Sequence, residues 1–151
     1  MPMQEPTIPE RYHGVWQRTL LETPEGRDTT SWVHWLQTGL WHGDLRVPAD
    51  ADRTTRAGRA LQQGFAGTTT ITRPDPAQPE VCTWQRTIDF QPPRSTPDAG
   101  HMVFETPARV IETGEPARAI PVSTVKIARI KMTTATKRMK FFSSFAPRRV
   151  A

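Results

Sequence analysis

The sequence predicts an all-β protein: an antiparallel barrel or half-barrel with one short helix and an irregular basic C-terminal tail. Three observations carry that expectation. Short runs rich in aromatic and β-branched residues alternate apolar and polar side chains with a period of two. Clusters of Pro, Gly, Asp and Thr punctuate those runs at short intervals, as turns do. The 151 residues include 15 prolines, about twice the ordinary frequency, which leaves little unbroken chain for long helices.

Taken in order, the first strand is expected from Tyr12 to Leu21, with Val15, Trp16, Leu20 and Leu21 as its apolar members. Thr23-Pro-Glu-Gly26 follows as a turn, Pro presetting one φ and Gly accepting a positive one. Thr30 to Thr38 reads as the second strand, and Gly39-Leu40 as a tight connection to a third over Trp41–Val47. In that third strand Trp41, Gly43, Leu45 and Val47 share one face, and His42, Asp44 and Arg46 the other. The one convincing helix is Arg53 to Gln63, capped by Asp50 or Asp52 and ended by Gly64. Strand character returns at Phe65–Thr72 and is clearest at Val81–Phe90, where Cys82, Trp84, Arg86, Ile88 and Phe90 are expected on one face. Met102–Glu105 and Arg109–Thr113 suggest a final hairpin.

Composition bounds the function classes. Cys82 is the sole cysteine, so no internal disulfide forms, no Cys-based zinc site exists and a reducing cytoplasm is the expected compartment. No basic start followed by an apolar run marks a secretory signal, and no stretch approaches the roughly 20 apolar residues of a membrane-spanning helix. The net charge of +5 conceals a division. All 15 acidic residues lie at or before Glu115, whereas nine of the 20 basic residues follow it. This gives three expected segments: a loose lead-in at 1–11, a barrel-like domain at 12–114, and a basic, Pro-containing tail at 115–151. The abrupt loss of acids reads the tail as a frameshifted or replaced terminus.

Gly14-Val-Trp16 resembles the Gly-x-Trp element of lipocalins and other calycin-like barrels. The wider set Trp35-Leu-Gln-Thr38, Asp44-Leu-Arg46, Gly64-Phe-Ala-Gly67, Cys82-x-Trp84-x-Arg86 and Asp89-Phe-Gln-Pro92 resembles an uncharacterised group of small bacterial lipocalin-like proteins. The resemblance spans about residues 12–114. It implies a barrel whose Trp16 sits at the closed end beneath an Arg from a late strand, and it implies no established activity.

Candidate functional residues follow from the alternation. His13, His34, His42 and His101 have no metal-ligand spacing, so no metal site is expected, nor any cofactor. The face carrying His42, Asp44 and Arg46 is read as solvated. If it faced a cavity instead, it would orient a small anionic ligand, with Arg46 as a bidentate donor. Arg86, among core side chains, must be paired or reach the edge, and is expected to stack on Trp16 or Trp84. Its alternative role is a deep ligand anchor. Cys82 reads as a buried small hydrophobe, since no cation or base neighbours it in sequence.

Three functional readings result. The first is a binder of a small apolar or amphipathic ligand, with Trp16, Trp32, Trp35, Trp84 and Phe90 as walls and His34, Arg46 and Arg86 as polar contacts. The second is a small cofactor-free isomerase or cyclase using His34 or Asp44 as its acid–base group. In the third, the less favoured, the tail binds nucleic acid or another partner through Lys126 to Arg149 and its interleaved Phe141, Phe142 and Phe145.

Overall fold

The computed structural model describes residues 7–93, 95 and 97–114, together with the backbone of 129–136. The alternating runs form nine strands. They are β1 (Gly14–Thr23), β2 (Gly26–Asp28), β3 (Trp32–Gln37), β4 (Trp41–Val47), β5 (Gln63–Thr72), β6 (Glu80–Asp89), β7 (Asp98–Thr106), β8 (Arg109–Gly114) and β9 (Arg129–Thr136). A single 3-10 turn, Glu10–Tyr12, precedes them, and one short helix, α1 (Arg56–Ala60), joins β4 to β5. The helix is shorter than the run 53–63 suggested. Thr55 caps it by accepting from the Gly58 amide, and only Gly58 of its residues is buried.

Sequential hairpins order the strands β1-β3-β4-β5-β6-β7-β8-β9, with β2 folded back on the far end of β1. Strand β9 pairs with β8 on one side and with β1 on the other. The ring of eight strands therefore closes, although among the described residues Gln85–Asp89 of β6 run past the start of β7 without a partner on that side. This corrects the expectation that all of 115–151 is irregular tail: a strand within that segment is the closing one. Residues 115–128 and 137–151, which hold the rest of the basic segment, lie outside the described residues.

The barrel has a closed end and an open end. At the closed end the 3-10 turn covers the interior. Tyr12 is fully buried, its ring edge-on to Phe104 at 4.9 Å, and its hydroxyl donates to Glu80 Oε2 at 2.8 Å. Ile8, within the segment expected to be loose, is buried and its amide donates to the Gly39 carbonyl. Gly14 turns the chain from this plug into β1 at φ 132, a conformation that a side chain disfavours. Above the plug, Trp16, Trp35, Cys82, Trp84, Met102 and Val110 fill the interior. Trp16 stacks on Trp35 at 6.1 Å, and Trp35 meets Trp84 edge to face at 5.6 Å. Such burial of aromatic rings supplies most of the driving force for a fold of this size.

The open end departs from simple alternation. In β6 the register shifts between Ala66 and Gly67 of β5: Arg86 faces Gly67, and Ile88 faces Ala66, with Thr87 as the extra residue. Such a bulge reverses the parity of everything beyond it. Cys82, Trp84 and Arg86 accordingly point inward, whereas Ile88 and Phe90 point out and are 69% and 66% exposed. The expected five-residue face thus ends at Arg86. Gly67 is required here, because a Cβ on it would lie 1.8 Å from the Gln85 carbonyl oxygen.

Two further faces invert the expectation. On β4 it is His42 and Asp44 that are buried, with Arg46 partly so, while Trp41 and Leu45 are exposed. On β3, Val33, Trp35 and Gln37 face inward, which turns Trp32 and His34 to the outer surface. Among the described residues no helix is long and apolar enough to cross a membrane.

Candidate functional site

Above the aromatic core, the open end carries a layer of charge. Arg18 on β1, Asp44 and Arg46 on β4, Arg86 on β6, Asp98 on β7 and Glu112 on β8 all occupy inward positions. Asp89, inward because of the bulge, joins them. Among the described residues all but Glu112 are met by an opposite charge, as the low dielectric of an interior demands. Arg46 donates from Nε to Asp44 Oδ1 at 2.6 Å and from Nη2 to Oδ2 at 3.2 Å. Arg86 donates to Asp98 Oδ2 from Nε (3.0 Å) and Nη2 (2.5 Å), and from Nη1 to Asp89 Oδ2 at 3.0 Å. Arg18 pairs with Asp28 at 2.7 Å.

Arg86 also lies flat against an aromatic ring, but on Phe65, with Cζ 3.4 Å from its centroid. This corrects the expected stacking on Trp16 or Trp84. The Arg46 guanidinium approaches the same ring at 5.0 Å. Among the described residues no guanidinium covers Trp16, whose Nε1 donates to the Tyr12 carbonyl at 2.7 Å.

Glu112 is buried with its side chain over Gly100, where a Cβ would meet Glu112 Cγ at 2.6 Å. Burial, reinforced by the Asp98 carboxylate, pushes its carboxyl up to about 7. Cys82 is likewise buried, and that burial, with Glu112 next, raises its thiol far above the range of a reactive thiolate.

A neutral chain of hydrogen bonds lies beneath the charges. Gln37 Nε2 donates to the carbonyls of Thr38 and Trp41, and its Oε1 accepts from Trp35 Nε1 and from Thr69 Oγ1. Since the single Thr69 hydroxyl proton is committed to Gln37, the 3.1 Å contact of His42 Nδ1 with Thr69 Oγ1 places a proton on Nδ1. Nε2 of His42 is then a buried lone pair that has no hydrogen-bond partner among the described residues. Burial depresses the imidazole below its ordinary value and keeps it neutral.

These side chains fill the mouth of the barrel among the described residues. The interior bounded by Trp35, Asp44, Arg46, Phe65, Trp84, Asp98 and Glu112 retains about 10 Å³, roughly the room of one water. Space opens instead where β6 and β7 part. Their pairing runs only from Glu80↔Met102 to Trp84↔Asp98, where β7 begins, so the outer half of β6 has no β7 partner. Trp84, Arg86, Asp89, Gln91, Pro93, Pro97 and Asp98 line a cleft of about 530 Å³ in this fork. Another depression of about 550 Å³, beside Arg11, Arg73, Glu80 and Phe104 at the closed end, is shallower. Its carboxylate already pairs with Arg11, Arg73 and the Tyr12 hydroxyl.

Of the residues the sequence singles out, Arg46, Trp84 and Arg86 come together, and Trp16 lies deeper beneath them. His34 is on the outer face against Trp32, at 4.3 Å, and Phe90 is outward on the far side of the bulge. Neither reaches the cleft or the interior. Asp98, Asp89 and Glu112 escape sequence reading. Asp98 opens β7 and Glu112 lies within β8, strands whose inward parity shows only once the register is known, and Asp89 depends on the bulge. No three His, Cys, Asp or Glu side chains among the described residues are grouped to hold a metal.

Fold and site together define the class: a closed, eight-stranded antiparallel barrel, apolar at its base and ion-paired at its mouth. No protein-family model, curated protein or solved structure matches the chain.

Proposed function

We propose that the protein binds a small amphipathic molecule in the cleft between β6 and β7 and performs no chemistry on it. One observation carries the reading: about 530 Å³ of space lies in the fork, against about 10 Å³ within the barrel. Small-molecule sites commonly measure roughly 300–1,000 Å³ and combine apolar walls with a few placed polar groups. Trp84, Pro93 and Pro97 offer the walls, while Gln91 and the Arg86 ion pairs offer the polar edge. The ion-paired layer around Trp35, Asp44, Arg46, Phe65, Trp84, Asp98 and Glu112 leaves a purely apolar ligand about 10 Å³, which favours the amphipathic half of the expectation. The likeness to lipocalin-like barrels supports the same class, through a plugged end followed by Gly14-Val-Trp16.

The acid–base reading has less support, since His34 is on the outside and Asp44 is held by Arg46. A sole, buried cysteine with a raised thiol suits the reducing cytoplasm we assign to the protein.

A thermal-shift screen with fatty acids, haem and aromatic metabolites tests the proposal, run on the wild type and on Ser95→Trp, which fills the cleft from an exposed rim position. A binder of the native state raises the melting temperature. The expected result is a ligand that stabilises the wild type and loses its effect in the variant. No shift across the panel, or an equal shift in both proteins, contradicts the proposal.

A further inference from the structure

We infer that the outer face of β3–β6 is a docking surface for a second copy of this chain, forming a two-fold dimer. Register alone assembles the face. One row across the four strands reads Leu36, Gly43, Ala66, Ile88. The next reads His34, Leu45, Gly64 and Phe90, the last tied by its amide to the Gly64 carbonyl at 2.8 Å. Trp41 and Trp32 flank the rows at either end. No Asp, Glu, Lys or Arg stands in either row. Its large members are open to solvent: Trp41 is 55% exposed, Leu45 51%, Ile88 69% and Phe90 66%. Scattered exposed apolar residues are ordinary, but a contiguous uncharged face is not.

Size and relief select the occupant. Four strands at about 4.8 Å spacing, with two rows and their flanks, make a face roughly 15–20 Å on a side. Burying it with its rim covers on the order of 600–800 Å² per copy, the scale of an ordinary stable pair. The face is also stepped. Gly43 leaves a hollow, since a Cβ there would meet nothing within 4 Å, and Ala66 continues its floor. Ile88 and Phe90 stand up beside it on β6. A two-fold axis over β5 sets the ridge of each copy above the hollow of the other, so each chain carries both halves of the fit. The contact is made by outward side chains of the two rows, so it is face to face between sheets rather than strand addition at an edge.

Sedimentation velocity on the full chain across micromolar concentrations tests this, with Ile88→Asp and Val103→Asp as variants. Val103 is exposed on the outer face of β7, away from the patch, and serves as the control. The expected result is a wild-type dimer, its dissociation constant raised roughly 100-fold by Ile88→Asp, which buries an unpaired carboxylate, and unchanged by Val103→Asp. Near-UV circular dichroism of the variants checks that the fold is retained; should Ile88→Asp fail it, Phe90→Asp replaces it. A wild type that is monomeric throughout, whether or not it sediments with phosphatidylcholine vesicles, overturns the inference. So does a dimer that survives in a folded Ile88→Asp or Phe90→Asp variant.

Discussion

The two ends of the barrel are built from opposite materials. At the closed end Tyr12, Trp16, Met102, Phe104 and Val110 pack ring against chain, and the few polar atoms among them have partners nearby. At the open end the same inward positions of the same strands hold Arg18, Asp44, Arg46, Arg86, Asp98 and Glu112. Apolar burial is favourable wherever it occurs. Buried ion pairs roughly break even against apolar side chains of similar volume, and they become costly when one partner is lost. The base therefore holds the fold together, whereas the mouth is held in one arrangement by mutual dependence. A cleft bordered by such a mouth has a fixed polar edge.

Substitutions at the two ends separate these roles. The largest effect is expected at the base. Trp16→Ala removes a fully buried indole that stacks on Trp35, and should lower the unfolding free energy by about 3–5 kcal/mol in urea titrations. At the mouth, Asp98→Ala takes two hydrogen bonds from a guanidinium whose side chain is 12% exposed. It should cost about 3 kcal/mol. The double variant Arg86→Leu with Asp98→Leu should restore much of that loss, an outcome with no parallel at the base. The smallest effect belongs to Tyr12→Phe. It deletes only the hydroxyl bond to Glu80 and keeps the ring, and should cost about 1 kcal/mol. If Tyr12→Phe proved as damaging as Trp16→Ala, the base would depend on polar contacts and the contrast would dissolve.

The same contrast governs what could be read from sequence. Around the aromatic core alternation and burial agree, so the burial of Trp16 and of Cys82 follows from periodicity even though the register also shifts at Val15/Trp16 and Phe104/Thr106. At the open end one extra residue, Thr87, breaks the period, and pattern reading carries Ile88 and Phe90 to the wrong face. Strand β4 fails for another reason. Its two faces offer Trp41, Leu45 and Val47 against His42, Asp44 and Arg46, and hydrophobicity picks the first as the core. The barrel picks the second, because Asp44 and Arg46 complete each other and meet Phe65, Asp98 and Glu112 across the interior. Partners from three other strands cannot be seen in a local window. The closing strand was hidden in the same way: Arg129–Thr136 has few apolar side chains, and its place follows from the two neighbours that need it.

The acid Glu112 gives the most direct test that the mouth is a buried layer of charge. Its carboxyl titrates near 7 in the folded protein, against about 4.5 as an ordinary glutamate, because burial and Asp98, with Asp44, oppose ionisation more than Arg46 and Arg18 favour it. Between those values the folded state holds a proton that the unfolded chain has released. The contribution to stability is thus complete below about pH 4.5 and is lost as pH rises through 7. The decisive measurement is the unfolding free energy from urea titrations at intervals between pH 5 and 8, for the wild type and Glu112→Gln. The wild type should lose on the order of 2–3 kcal/mol over that range, and Glu112→Gln should remove this loss. Parallel curves for the two proteins would mean that Glu112 ionises freely in solvent, and the layered interior would be wrong.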